Sequence, residues 1–157
     1  MIEVTTSALA AHPFLRGMPA GHLDALAAAA SDVKFPAGYR IFADGGYAGK
    51  FWLIRSGQVA VDMQVPGEGP VVIDTVGIGG LLGWSWLFPP YRWAFGGVCV
   101  TPVEVFEFDA AALRDSCAAD PVLGYDLTQR LIRVLGGRLQ STRTRLIAMS
   151  RGLPPSQ

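Results

Sequence analysis

The sequence has few of the residues that usually build catalytic, metal-binding or disulfide-linked sites. Its 157 residues include only two cysteines and two histidines. Cys99 and Cys117 stand in apolar surroundings, without the spacing of a metal site or a disulfide framework, which indicates buried and reduced thiols. His12 and His22 flank turn residues and have no carboxylate or cysteine partner at ligand spacing, so we expect surface or capping roles for them. The sequence therefore predicts no metal site.

Motifs for catalysis are missing as well. Ser56, Ser85 and Ser116 lie outside any nucleophile-elbow context, and no two carboxylates stand out as an acid–base couple. The glycines of Gly77–Gly80 are not a dinucleotide fingerprint, because no strand–helix–strand unit surrounds them. We therefore expect no catalytic residues and a protein that is not an enzyme.

Charge of one sign is not in excess, and long apolar runs are absent. Lysine plus arginine number 13 and so do aspartate plus glutamate, whereas a protein that binds nucleic acid directly normally has a basic surplus. The N-terminus lacks a basic segment followed by an apolar one, so no signal peptide is expected. The longest uncharged stretch, between Asp74 and Arg92, is broken by four glycines and two prolines and would make a poor membrane helix. We expect a cytoplasmic protein without direct nucleic-acid or membrane partners.

What is present indicates one folded domain that is mainly β. Half of the residues are hydrophobic and 17% are charged, and the length suits a single core. Residues 22–31 are rich in alanine and predict a short helix. Between Val33 and Phe108, short β-branched and aromatic runs alternate with glycine turns, which predicts about eight antiparallel strands in a sandwich or barrel. Residues 58–65 alternate as one half-buried strand.

Two further helices follow the strands. Asp109 is placed to cap a short helix over 110–118, and Asp120 with Pro121 begins a long helix that runs to about Met149. Gly136 and Gly137 interrupt the long helix, where each costs roughly 1 kcal/mol relative to alanine. We leave three explanations open for them: a close helix crossing in a dimer, a hinge, or an early end of the helix.

Two glycine-containing segments carry a resemblance to a known family. Residues 35–42 and 51–59 resemble the opening strands and the hairpin of the cyclic-nucleotide-binding domain of the Crp/Fnr regulators, and the similarity extends over residues 9–147. The resemblance implies an antiparallel β-roll (a jelly-roll-like double-stranded β-helix, cupin-like) with an N-terminal helix, a short helix and a long C-terminal helix. It implies three regions: the roll with its N-terminal helix in 1–120, a homodimerisation helix in 121–150 and a tail in 151–157.

The same resemblance identifies candidate ligand-binding residues in a cassette segment, residues 79–95. In the family, a Gly-Glu pair starts a short helix, and an Arg-Ser/Thr-Ala triplet follows; the glutamate accepts from the ribose and the arginine pairs with the cyclic phosphate. The long-helix segment further resembles one that reaches the nucleotide base, although Thr142 is equally explained as a polar surface position. The implied ligand is cAMP or another nucleotide-like anion. The candidates are Gly83 and Trp84 at the Gly-Glu pair, Ser85 after it, Arg92, Trp93 and Ala94 at the triplet, and Thr142 and Arg143 on the helix.

Two substitutions in the cassette segment change what it is able to bind. The indole of Trp84 has only a donor, so it cannot replace the glutamate as an acceptor, and Trp93 removes a hydroxyl. An unmade bond of this kind costs on the order of 10⁴ in affinity, so ordinary tight cAMP binding is not expected. Three interpretations of the aromatic cluster between Trp84 and Phe95 stay open: it fills the roll, it lines a pocket with an anion on Arg92, or it forms a docking patch.

These observations lead to three functional hypotheses. The first is a non-enzymatic, dimeric module that senses a small molecule and passes the change to a protein partner. It would lack its own DNA-binding domain, because the helix-turn-helix that follows in the family has no counterpart before Gln157. The second is a ligand-independent interaction subunit or adaptor with a self-filled pocket. The third is a transcription regulator that acts by pairing with a full-length relative.

Overall fold

The structure is a computed structural model that describes residues 2–152, so most of the predicted tail lies outside the described residues. Two antiparallel sheets form the body of this part of the chain, and helical segments flank them. The strands are β1 (Ile2–Glu3), β2 (Ala30–Phe35), β3 (Arg40–Phe42), β4 (Lys50–Ser56), β5 (Val59–Val65), β6 (Gly69–Val76), β7 (Leu81–Leu82), β8 (Gly96–Cys99) and β9 (Val103–Asp109). The helices are α1 (Thr6–Ala10), α2 (Ala20–Ala28), α3 (Ala110–Ala119) and α4 (Pro121–Ser150), with 3₁₀ turns η1 (Pro13–Leu15) and η2 (Ser85–Leu87).

The core lies between the sheets and beneath the helices. The first sheet has the order β1-β2-β9-β4-β7, and the second has the order β3-β8-β5-β6. Neighbouring residues of β4 point to opposite faces. Trp52 stacks on Phe42 of the second sheet, whereas Phe51 stacks on Phe108 and on Trp86 of η2. Both faces of β4, an interior strand of the first sheet, are therefore buried, and the predicted mainly β fold with flanking helices is confirmed.

Side-chain caps start the last two helices where the sequence predicts them. The carboxylate of Asp109 accepts from the backbone N–H of Ala112, at 3.1 Å. The carboxylate of Asp120 accepts from the N–H groups of Val122 and Leu123, at 3.1 and 3.3 Å, and Pro121 is the first residue of α4. These bonds satisfy N–H groups that have no partner inside a helix.

The structure corrects three local predictions. The helix predicted over 22–31 is α2, which ends at Ala28, because β2 begins at Ala30 and pairs with β9. The strict alternation predicted for residues 58–65 breaks at Asp62, which is buried and forms an ion pair with Arg40 at 2.7 Å. The register between β5 and β6 shifts at this point, and Met63 becomes exposed. Finally, α4 continues through its glycine pair, so an early end of the helix is excluded.

The two histidines connect elements more closely than the sequence predicts. His12 is buried rather than on the surface, and its Nδ1 accepts from the N–H of Phe14 while Nε2 lies 2.9 Å from the carbonyl oxygen of Ile54. The capping role predicted for His12 is thus correct. His22 does have a carboxylate partner, because its Nδ1 lies 3.1 Å from Asp126 of α4.

Candidate functional site

The cassette segment contains β7 and η2 and leads into β8. Its chain turns at Gly83, where φ is +89°, a left-handed conformation that glycine adopts at little cost. After η2, the backbone pairs with the loop between β3 and β4: the N–H of Trp93 donates to the carbonyl of Gly46, and the N–H of Gly45 donates to the carbonyl of Trp93, each at 2.8 Å. Protein contacts therefore hold both ends of the segment.

The side chain of Trp93 enters the core beneath the cassette segment. It is 4% exposed, and its ring centroid lies 4.6 Å from that of Phe42 and 5.8 Å from that of Trp52. A Cβ atom added to Gly83 would lie 2.6 Å from the Cη2 atom of Trp93. Gly83 therefore meets two requirements: it adopts the positive φ, and it leaves room for the indole.

Packing against the first sheet and α3 holds η2 in place. Trp86 is fully buried and stacks on Phe51, with ring centroids 4.6 Å apart. Its carbonyl oxygen accepts from Arg114, whose guanidinium also lies over the ring of Tyr91 at 4.3 Å. Ser85 is buried beside Trp86 in the chain. This half of the segment is thus a packed part of the domain.

Trp84 is one of the contacts between the cassette segment and α4. Its half-buried indole contacts Phe95, at 4.6 Å between ring centroids, and the guanidinium of Arg138 lies over it, 5.2 Å from the ring centroid. Arg138 also donates to the carbonyl oxygen of Leu81. Burial lowers the pKa of the Arg138 guanidinium, and the negative charge of Asp74 partly offsets this effect. The region that faces the long helix is therefore occupied by an indole and a guanidinium.

A second arginine attaches α4 to the edge strand β6. Arg145 donates to the carbonyl oxygen of Ile73 at 2.8 Å, and its Nη2 lies 3.2 Å from the Asp74 carboxylate. Thr142 is exposed, and its hydroxyl donates at 2.8 Å to the carbonyl four residues earlier in the same helix. Arg143 is exposed too. All of the fully buried residues of α4 lie in its first eleven positions, so the two arginines are the main described attachments of its second half.

The predicted site residues fall into two groups. Gly83 and Trp93 are in contact with each other, and Trp84 touches the long helix. Arg92 and Ala94 are exposed on the outer side of the segment, and Arg92 pairs only through its backbone, with the loop residue opposite it. Within residues 2–152, the guanidinium of Arg92 forms no ion pair. Among the hydrogen bonds and ion pairs of the described residues, none joins the Arg92 guanidinium to Thr142 or Arg143, and the Thr142 hydroxyl donates within its own helix.

Arg138 and Arg145 are not among the site residues predicted from the sequence, although the distribution of charge along the chain carries a signal for them. Residues 121–151 contain six arginines and one aspartate, whereas residues 1–120 contain seven cationic and twelve acidic side chains. The net charge of the whole chain is zero because an excess of positive charge on α4 offsets an excess of negative charge on residues 1–120. In the part of the chain that the structure describes, no helix is both long and apolar enough to cross a membrane, and no three potential metal ligands cluster together.

Comparison with known proteins relates this geometry to a family. The family model for the cyclic nucleotide-binding domain matches residues 32–120, which is more than half of the chain. The chain belongs to the cyclic nucleotide-binding domain family. A curated relative, the CRP-like cAMP-activated global transcriptional regulator of Mycobacterium tuberculosis, is 27% identical over 138 residues. The matched region covers 88% of this domain's chain and 60% of the regulator, so the chain spans about three fifths of that relative's length.

Solved structures share the fold of the domain. A protein from Geobacter metallireducens, provisionally named a cyclic nucleotide-binding protein, superposes with a TM-score of 0.79 at 23% identity, over 87% of this chain and 98% of its own. A cyclic nucleotide-binding domain from Methylobacillus flagellatus gives 0.74 at 22% identity, over 82% and 72%. The catabolite activator protein of Thermus thermophilus gives 0.68 at 22% identity, over 88% and 63%. The family is regulatory rather than catalytic.

Proposed function

We propose that this chain is a dimeric, non-enzymatic regulatory module whose roll does not hold a cyclic nucleotide by the family's usual contacts. The observation that carries the proposal is Trp84, at the position implied for the ribose-binding glutamate, where Phe95 and Arg138 cover its ring. An indole offers a ribose hydroxyl no acceptor. Trp93, at the hydroxyl position of the triplet, contributes its side chain to the core instead.

We divide the candidate residues by what their surroundings support. Gly83, Ser85 and Trp93 are buried and suit a packing role. Trp84 suits a link between the cassette segment and the long helix. The exposed candidates suit contacts with a ligand or partner at the rim of the roll; they are Arg92, Ala94, Thr142 and Arg143. A cytoplasmic location is part of the same proposal, and so is a ligand of the class of cAMP or another nucleotide-like anion, held by contacts other than the family's usual ones.

The outer face of α4 supports the dimer. Tyr125, Ile132, Leu139 and Leu146 recur every seven residues and are 67%, 60%, 52% and 62% exposed. This spacing is that of one core position of a two-stranded coiled coil. Residues three places further on, which would supply the other core position, include two large apolar side chains. A second copy of the same helix therefore fits this stripe, and burial of the apolar side chains is what would drive the association.

Sedimentation at micromolar concentration tests the dimer with one matched pair of variants. Leu139→Glu places a charge in the stripe. We expect this variant to sediment as a monomer and still to unfold in a cooperative thermal transition. Thr144→Glu makes the same change in charge on an exposed residue two places before Leu146, off the stripe, and should remain dimeric. A monomeric wild type, or a dimer that tolerates Leu139→Glu, would contradict the assignment.

Thermal melts with cyclic nucleotides test the other half of the proposal. We expect neither cAMP nor cGMP at millimolar concentration to raise the melting temperature, since a ligand that binds only the folded state must stabilise it. A rise of several degrees would show that the domain binds cyclic nucleotide in spite of Trp84.

The buried Trp86 and Trp93 also favour the second candidate function, an adaptor that needs no ligand and acts through a protein partner.

A further inference from the structure

We propose that a pocket between β4 and the loop before it binds a small, neutral, planar aromatic molecule that carries a carbonyl oxygen. This loop pocket has a volume of about 360 Å³. Among the described residues that line it, none belongs to α4, and Trp93 alone belongs to the cassette segment. The site and its ligand therefore go beyond the proposed function. The lining includes Phe42, Tyr47, Gly49, Lys50, Trp52 and Trp93.

The size of the loop pocket suits a ligand of one or two rings. Pockets that hold small molecules have volumes from about 300 Å³ upward, and a cavity of about 150 Å³ holds benzene. The loop pocket, at about 360 Å³, has room for one aromatic ring with a substituent or for two fused rings.

Three packed rings form a rigid apolar floor for the loop pocket. Phe42, Trp52 and Trp93 are only 3–6% exposed, and their ring centroids lie 4.6–5.8 Å from one another. Aromatic rings contact other rings in preferred stacked or edge-to-face geometries, which add to the effect of buried area. A floor of this kind is formed before any ligand arrives, and it favours an aromatic ligand over an aliphatic one of equal size.

Tyr47 provides an exposed aromatic wall beside this floor. Its side chain is 58% exposed, although a tyrosine ring gains by burial. The ring lies against the backbone of Gly49, where an added Cβ atom would be 3.1 Å from Cε1 of Tyr47. The backbone of Tyr47 is held as well, because it pairs with Arg92. A ligand in the loop pocket would cover a ring that the domain itself leaves in solvent.

Lys50 supplies a hydrogen-bond donor at the rim of the loop pocket. Its ammonium lies 2.8 Å from Oε1 of Glu107, and Oε2 of Glu107 accepts from Nε1 of Trp52 at 3.0 Å. An ammonium has three N–H donors, and this ion pair uses one of them. The lysine side chain is 56% exposed, so its other donors are accessible to a ligand. Because Glu107 balances the charge of Lys50, a neutral carbonyl oxygen is a suitable acceptor.

An NMR titration of the full chain with benzamide tests the proposal. We expect saturable shifts of the indole N–H resonances of Trp52 and Trp93. The resonance of Trp86 should not move, because Trp86 packs on the other face of β4 through Phe51. Cyclohexanecarboxamide keeps the amide and lacks the aromatic ring, and we expect it to bind about 3- to 10-fold more weakly.

Two matched pairs of variants test the wall and the donor. Tyr47→Ala should weaken benzamide binding about 3- to 10-fold, whereas Tyr39→Ala, which removes an exposed tyrosine outside the pocket lining, should bind like the wild type. Lys50→Met should weaken binding about 10-fold through the lost donor. Lys34→Met breaks a similar exposed ion pair, with Glu104 at 3.4 Å, and should have no effect.

Several results would overturn the assignment. They are no saturable shift with benzamide at millimolar concentration, equal binding of cyclohexanecarboxamide, binding of benzoate but not of benzamide, and equal losses in the pocket variants and their controls. Should a pocket variant not fold, the indole resonances of the wild type with the two amides decide the question. A failure here would leave the cyclic-nucleotide melts and the dimer untouched. Conversely, cAMP binding or a monomeric wild type would contradict the proposed function and leave the loop pocket as it is.

Discussion

Replacing Gly83 by alanine is the sharpest test of how Trp93 occupies the space under the cassette segment. The new methyl group would meet two constraints, a φ of +89° and an indole atom 2.6 Å away. Gly45 offers a matched control, because its φ is +85° and a Cβ atom there would meet nothing within 4 Å. The two substitutions therefore share the backbone strain and differ in the contact with Trp93.

The expected magnitudes follow from these two constraints. A non-glycine residue in the left-handed region costs about 1–2 kcal/mol, which both variants should lose. Overpacking a well-filled core costs about 1–3 kcal/mol more, which only Gly83→Ala should lose. We thus expect Gly83→Ala to lower the free energy of unfolding by about 2–5 kcal/mol in total. In a Trp93→Phe background the Cη2 and Cζ3 atoms are gone, and the cost of Gly83→Ala should fall to that of Gly45→Ala.

Urea unfolding followed by circular dichroism measures five proteins: the wild type, Gly83→Ala, Gly45→Ala, Trp93→Phe and the double variant Trp93→Phe/Gly83→Ala. The slopes should stay unchanged, so that differences between the urea midpoints report differences in stability. The reasoning is refuted if Gly83→Ala and Gly45→Ala cost the same in the wild-type background. It is equally refuted if Trp93→Phe leaves the cost of Gly83→Ala unchanged. The indole of Trp93 would then not be the group that clashes with the new Cβ atom at position 83.

Two further predictions concern buried polar groups. Burial lowers the pKa of His12, outweighing the hydrogen bond with Ile54 that raises it, so folding favours the neutral ring. The resulting stability is complete above the unfolded pKa of about 6.5 and is lost as the pH falls below it. Urea midpoints should therefore drop from pH 7 to pH 5 in the wild type and less in His12→Asn; equal drops would exclude His12 as the cause. Asp62→Ala leaves Arg40, a third exposed, without its partner and should cost about 1–3 kcal/mol in thermal unfolding; no loss would mean that the pair is neutral.

The fold was accessible from the sequence because its signals are local. Capping aspartates and a proline mark the starts of α3 and α4, and glycine turns separate the strands. The end of α2 was not accessible, since Ala30 is a good helix former that pairs with a strand 78 residues away in the chain. The burial of Asp62 depends on Arg40 in another strand in the same way. Long-range pairing outweighs local preference in both cases.

The candidate site was accessible only in part. Resemblance placed Trp84 and Trp93 in the cassette segment, and the chemistry of indole predicted the loss of an acceptor. The register of the segment against the loop after β3 decides which of the two indoles enters the core. This register depends on hydrogen bonds between residues far apart in the chain, so the sequence pattern alone does not predict it. Arg138 was missed because a balanced total charge gives no hint that the excess of arginine lies on one helix.

Calorimetric titration of the wild-type domain with cAMP tests the central claim most directly: that Trp84 and Arg138 have replaced the contacts by which the family holds a cyclic nucleotide. We expect no saturable heat up to about 1 mM ligand, which corresponds to less than about 4 kcal/mol of binding free energy. Trp84→Glu, which restores an acceptor, should bind no more weakly than the wild type. A micromolar dissociation constant for cAMP in the wild type would contradict the claim.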